Sequence, residues 1–174
     1  AAHDIVMSKS FDNGMVCASE QAVIIDKEVY DEFVEEFKSY HTYFVNKKEK
    51  ALLEEFCFGA KANSKNCAGA KLNPDIVGKP ATWIAEQAGF SVPEDTNILA
   101  AECKEVGEKE PLTREKLSPV IAVLKSESRE DGVEKARQMV EFHGLGHSAA
   151  IHTADEELTK EFGKAVRALS LIHI

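Results

Sequence analysis

Three kinds of side chain in this sequence could do chemistry: the thiol of Cys17, the imidazoles of His143 and His147, and the carboxylate of Glu115. A thiolate is a nucleophile, and it works from a partly exposed position near positive charge or backbone N–H groups. Cys17 follows Asp12-Asn13-Gly14. Asn-Gly is a strong turn signal, because both residues tolerate positive φ. Apolar residues then take over at Ala22-Val23-Ile24-Ile25 and read as a short buried strand. Cys17 is thus placed between a turn and a core strand, where a side chain can be held rigidly and still face a cleft. By residue type alone, the same cysteine would equally suit a buried structural position. His143-x-x-x-His147 has the spacing of helical zinc ligands. Gly144 and Gly146 break a helix there and no H-E-x-x-H glutamate is present, so no metal site is predicted. Gly59-Ala60-Lys61 and Gly69-Ala70-Lys71 lack the spacing of a phosphate loop.

The stretch Phe11-Asp12-Asn13-Gly14-Met15-Val16-Cys17-Ala18-Ser19-Glu20-Gln21 resembles the catalytic-cysteine motif of the aldehyde dehydrogenase superfamily. Its Cys-Ala-Ser-Glu-Gln ending is similar to the CoA-acylating branch, notably the aldehyde half of bifunctional aldehyde–alcohol dehydrogenases. The resemblance runs from about Ala1 to Ala168. It implies that Cys17 is the nucleophile. Glu115-Lys116-Leu117-Ser118-Pro119 resembles the superfamily's Glu-x-Phe-Gly-Pro element, whose glutamate contacts the nicotinamide-ribose hydroxyls. Carried over, that glutamate is Glu115, and a carboxylate can accept from two hydroxyls at once. Leu117 and Ser118 depart from the aromatic and the glycine of the pattern. Gly144-Leu145-Gly146-His147-Ser148 matches a Gly-x-Gly-His-Ser/Thr hallmark of the acylating branch, which implies that His147 lies near the cysteine and the CoA path. Without the resemblance, Glu115 reads as an exposed loop glutamate and His147 as a histidine held in a packed turn.

The elements that must position these residues can be read in order. Ala1–Ser10 reads as the end of a helix, with Ile5 and Val6 apolar and His3, Asp4 and Lys9 on the polar side. Asp26 is a good N-cap for an amphipathic helix to about Ser39, with Val29, Phe33 and Phe37 inward. A helix from Lys47 to Phe58 is stopped by Gly59. Residues 60–75 read as loop. Pro80 starts the next helix and Gly89 ends it, and a strand follows at Ile98–Cys103. Ile121–Leu124 is a buried strand. Ser128 caps a helix ending near Gly144, a glycine-rich turn leads into a strand, and Thr153-Ala154-Asp155-Glu156 caps a last helix with Leu158, Phe162 and Val166 inward. Helices alternating with short apolar strands argue an α/β fold with a largely parallel sheet flanked by helices. Leu169–Ile174 departs from the family pattern and reads as a translated sequencing adapter. It is taken as a non-native tail at 169–174, outside a catalytic-domain fragment at 1–168.

At 174 residues the chain suits one domain with a sizeable core. The net charge of -9 argues against nucleic acid and anionic membrane as partners, since those need clustered Lys and Arg. No apolar run approaches the ~20 residues of a membrane span. Cys17, Cys57, Cys67 and Cys103 fit neither a C-x-x-C pair nor a paired zinc set, and four free thiols suit a reducing, cytoplasmic compartment. The resemblance implies an enzyme that interconverts aldehyde, NAD and coenzyme A with acyl-CoA and NADH through a thioester on Cys17. The resemblance implies that the parent is a homo-oligomer, with filaments as one form. A G-x-G-x-x-G turn is absent, so most of a cofactor-binding domain is missing and the fragment by itself is expected to be inactive. Two other readings stand beside this one: a hydrolytic aldehyde dehydrogenase and an inactive assembly module.

Overall fold

The computed structural model describes residues 1–59 and 71–174. Cys67, most of the predicted loop at 60–75 and most of the two Gly-Ala-Lys segments lie outside the described residues.

Six helices and six strands are present among the described residues: α1 (Ala2–Ser10), β1 (Ala22–Asp26), α2 (Tyr30–Ser39), β2 (Thr42–Phe44), α3 (Lys47–Phe58), α4 (Ala81–Ala88), β3 (Ile98–Cys103), β4 (Val120–Ser126), α5 (Arg129–His143), β5 (Ser148–Ile151), α6 (Glu156–Ala165) and β6 (Ser170–His173). The main sheet has four strands in the order β1-β4-β3-β2, and every pairing in it is parallel. Strand β4 lies in the middle, and its first five residues are buried. That is why Val120–Leu124 is continuously apolar rather than alternating, as expected for a strand covered on both faces.

The alternation of side chains sorts the core into two layers. Ile98, Ala100, Ile121 and Val123 face Ile5, Val6 and Phe37 of α1 and α2. Leu99, Ala101, Val120, Ala122 and Leu124 face Leu53, Cys57, Ile84 and Ala85 of α3 and α4. A smaller apolar cluster of Val140, Phe162 and Val166 joins α5 and α6 near the separate β5–β6 pair.

Three details depart from the sequence reading. Helix α2 starts at Tyr30 after Val29, not at Asp26. The Asp26 carboxylate instead accepts from Glu28 N at 2.9 Å, which makes a turn between β1 and the helix and leaves Val29 49% exposed. Lys9 is fully buried rather than on a polar face. It falls in helical step with Ala2, Ile5 and Val6, which pack against the sheet. Lastly, Leu169–Ile174 carries β6, which runs parallel to β5. All four of its residues are exposed, so backbone pairing rather than side-chain burial places it.

Helix ends follow local chemistry. Ser128 Oγ accepts from Asp131 N at 3.3 Å. The return bond of a full capping box is displaced by one residue, with Asp131 accepting from Glu127 N at 2.8 Å. Asp155 Oδ1 accepts from Glu157 N and Leu158 N, which fixes the start of α6.

Candidate active site

The cysteine loop precedes β1, and the Glu115 segment precedes β4. Because β1 and β4 are parallel neighbours, both segments arrive at the same, amino-terminal edge of the sheet. Asp12, Asn13 and Gly14 all have left-handed backbone, with φ of 49°, 50° and 68°. Non-glycine residues hold that conformation at a cost of about 1–3 kcal/mol each, and only where surrounding contacts enforce it. The contacts here are specific. Asn13 Nδ2 donates to Gly78 O at 3.0 Å, and Gly78 N donates to Leu117 O at 3.1 Å. The Gly78 turn thereby clamps the cysteine loop to the Glu115 segment. Gly14 has no room for a side chain: a Cβ there would stand 2.6 Å from Ser118 O.

On the far side of the cysteine, Ser19 Oγ donates to Gly14 O at 3.1 Å and closes the loop on itself. Gln21 then joins it to the neighbouring strand. Its Oε1 accepts from Lys116 N at 3.0 Å, and its backbone carbonyl accepts from both Ala122 N and Lys116 Nζ. Lys116 is fully buried. Burial lowers its pKa to about 8, while Nζ donates to the carbonyls of Gln21, Leu112 and Arg114 at 3.0, 2.6 and 2.7 Å. Three such acceptors hold the ammonium as a structural rivet. Cys17 stands exposed on top of this framework, beside exposed Met15 and Val16.

The two other described thiols are unlike it. Cys57 and Cys103 are buried, and burial pushes both up to about 12. A thiol in that state is inert at neutral pH. The fold therefore presents Cys17 and withholds the other two.

Of the residues singled out by sequence, Cys17 and Glu115 are brought together, on two loops joined through Gln21, Gly14 and Gly78. Glu115 is half-buried and adds a favourable charge to both Lys9 and Lys116. His147 stands apart. It is exposed at the entry to β5, where its N donates to Gly144 O and its carbonyl accepts from Leu169 N, each at 3.0 Å. Among the described residues, no hydrogen bond or ion pair links its imidazole to Cys17 or Glu115. Sequence reasoning gave no positioning role to Lys9, Gln21, Gly78 or Lys116, and read Asn13 as a turn residue without its bond to Gly78 O. Of the first four, only Lys9 carried a signal, its helical spacing from Ile5.

The model of the aldehyde dehydrogenase family matches residues 1–172. The chain belongs to the aldehyde dehydrogenase family. It is 92% identical over 172 residues to an aldehyde-alcohol dehydrogenase of Streptococcus pneumoniae, covering 99% of this chain and 20% of that one. It is 57% identical over 173 residues to aldehyde-alcohol dehydrogenase 2 of Entamoeba histolytica, again covering 99% and 20%. Among solved structures, an acetylating aldehyde dehydrogenase from Geobacillus thermoglucosidasius superposes with a TM-score of 0.89 at 35% identity, covering 99% of this chain and 36% of that one. The chain thus spans about a fifth of the length of these curated relatives. The α/β fold with a parallel sheet flanked by helices is that of the aldehyde dehydrogenases. No helix among the described residues is long and apolar enough to cross a membrane.

Proposed function

We propose that this chain is the thiol-bearing part of a CoA-acylating aldehyde dehydrogenase, which interconverts aldehyde, NAD and coenzyme A with acyl-CoA and NADH. The observation that carries the reading is Cys17 itself, exposed on a strained loop that is clamped to the Glu115 segment. The relatives whose names include aldehyde-alcohol dehydrogenase and acetylating aldehyde dehydrogenase support the acylating branch.

In this reading the Cys17 thiolate attacks the aldehyde carbon, forming a C–S bond and moving the carbonyl pair to oxygen. The oxyanion needs fixed donors, and the Cys17 backbone N–H is one of them. A nicotinamide cofactor, when bound, supplies the hydride acceptor. Glu115 fits one end of such a cofactor, because its carboxylate can accept from the two ribose hydroxyls while Lys116 anchors the loop below. Loss of hydride leaves the acyl group on Cys17 as a thioester. The thiolate of coenzyme A then attacks the thioester carbonyl, and the Cys17 thiolate leaves. His147 holds or accepts the proton of the incoming thiol, a task suited to an imidazole because its ring nitrogens can both donate and accept. The parent acts as a homo-oligomer, with filaments as one form, in the cytoplasm.

The test is rapid mixing of the full-length polypeptide with aldehyde and NAD, with and without coenzyme A. Acyl-CoA formation that requires Cys17 is expected. Free acid made without coenzyme A would replace this reading by a hydrolytic one. No NADH under either condition would leave an assembly module.

A further inference from the structure

One side chain reaches both halves of the candidate site from underneath. Lys116 follows Glu115 and grips Gln21 at two points: its N donates to Gln21 Oε1 and its Nζ to Gln21 O, each at 3.0 Å. Gln21 passes that hold on toward the cysteine. Its Nε2 donates to Ser19 O at 3.2 Å, and Ser19 N donates to Val16 O at 2.9 Å, which closes the turn that carries Cys17. The other bonds of the ammonium run to Leu112 O and Arg114 O, at 2.6 and 2.7 Å. Those carbonyls form a fixed base. Arg114 Nη2 donates to Glu108 Oε2 at 2.6 Å, and its guanidinium stands 5.4 Å from the ring centroid of Phe142 on α5.

An ammonium has three N–H donors and no lone pair, and the carbonyls of Gln21, Leu112 and Arg114 use all of them. A neutral amine has one donor fewer. One carbonyl would then lose its partner and face a lone pair, which is costly at a fully buried site. The titratable groups around Lys116 are Glu115 beside it, Cys57 on α3, Cys103 on β3 and Lys9 on α1. Burial pushes both thiols up to about 12, so they stay neutral at lower pH. Burial also holds Lys9 well below the ordinary lysine range, but its Nζ has no hydrogen-bond partner among the described residues, so its titration breaks no bond there.

We propose that the Lys116 ammonium is a positioning residue with a titratable grip: its protonated form sets Glu115 and the Cys17 turn in one register, and loss of that proton loosens both together. It touches no reacting atom, and its effect on turnover rests on the function proposed above.

The experiment compares Lys116→Met and Gln21→Met with the unsubstituted full-length polypeptide. In Lys116→Met the first-turnover NADH burst is expected to slow about tenfold and the NAD KM to rise about tenfold, with the aldehyde KM unchanged. In the unsubstituted protein the NAD KM should climb as pH passes about 8, whereas in Lys116→Met it should be high and flat over that range. Gln21→Met keeps the ammonium and removes the Oε1 acceptor, so it should move the burst and the NAD KM the same way by a smaller factor. A purely structural lysine would lower the melting temperature and leave the NAD KM alone, which overturns the proposal. So does a step near pH 8 that survives in Lys116→Met, since Lys9 would then be its source. If Lys116→Met fails to fold, the other two proteins decide: an NAD KM that is flat through about pH 8, or a Gln21→Met variant that matches the unsubstituted protein, overturns the grip. Hydrogen exchange separates this from the proposed function. Lys116→Met should speed exchange in peptides covering residues 14–21 and 112–118 and leave α2 unchanged, and unchanged exchange in those two segments overturns the grip. If the unsubstituted protein makes no NADH at all, the proposed function fails, while exchange still decides the role of Lys116.

Discussion

The cysteine loop and the His147 turn share a plan. Each has a glycine in left-handed backbone, Gly14 at φ 68° and Gly146 at φ 83°, and each leads into a parallel strand. They differ in what surrounds that glycine. Gly14 is buried and wedged between the carbonyls of Lys9 and Ser118. Gly146 is exposed, and a Cβ there would meet only a Leu169 methyl at 3.9 Å. The main sheet locks the first loop through β4, which is buried on both faces. The second turn opens onto a two-stranded sheet, and such a pair is marginal by itself. A nucleophile must be fixed before the substrate arrives. Under the function proposed above, a residue that serves a second, bulky thiol has to leave room for it. The contrast teaches that rigidity is concentrated at the Cys17 loop and not at the His147 turn.

The widest gap between the regions is expected in the chemistry. In the full-length polypeptide, Cys17→Ser should abolish the NADH burst, as seen by stopped-flow absorbance. In the same protein under native conditions, iodoacetamide should label Cys17 and leave Cys57 and Cys103 unmodified until denaturant is added. Equal labelling by peptide mapping would show that burial does not set the order of reactivity.

Gly14→Ala comes next. It combines a positive-φ penalty with a backbone clash, and overpacking of this kind costs about 3 kcal/mol or more when both effects act. Urea unfolding of the chain should show the loss.

His147→Ala should leave the burst intact and lower steady-state turnover with coenzyme A by about 10²-fold, the lower end of general acid–base contributions. If it removes the burst instead, the two regions are not separate in function.

Gly146→Ala, the matched control for Gly14, has only the positive-φ penalty to bear. It should cost about 1 kcal/mol. A loss as large as that of Gly14→Ala would mean that the His147 turn is as tightly framed as the cysteine loop.

Deleting Leu169–Ile174 should change stability least, within about 0.5 kcal/mol by thermal melting, because every β6 residue is exposed. A large fall in melting temperature would show that the β5–β6 ladder is a support of the fold.

Some of this molecule was decided by the sequence itself, because the causes are local. Asn13-Gly14 turns because those two residues tolerate positive φ, and both adopt it. Gly59 and Gly89 end α3 and α4 in left-handed conformation, and Ser128 caps α5. The apolar runs at 22–25 and 121–124 read as buried strands, and both lie in the parallel sheet. Tertiary structure decided what depends on partners far along the chain. Gln21 and Lys116 meet across 95 positions because β1 and β4 pair in parallel. Gly78 becomes a clamp only when two loops arrive beside it. Lys9 is polar by type and buried by place, since the face of α1 that carries it is the face the sheet covers. Local rules set the conformation of each turn. Which turns share an edge, and which charges are shut in beneath them, follows from the strand order β1-β4-β3-β2.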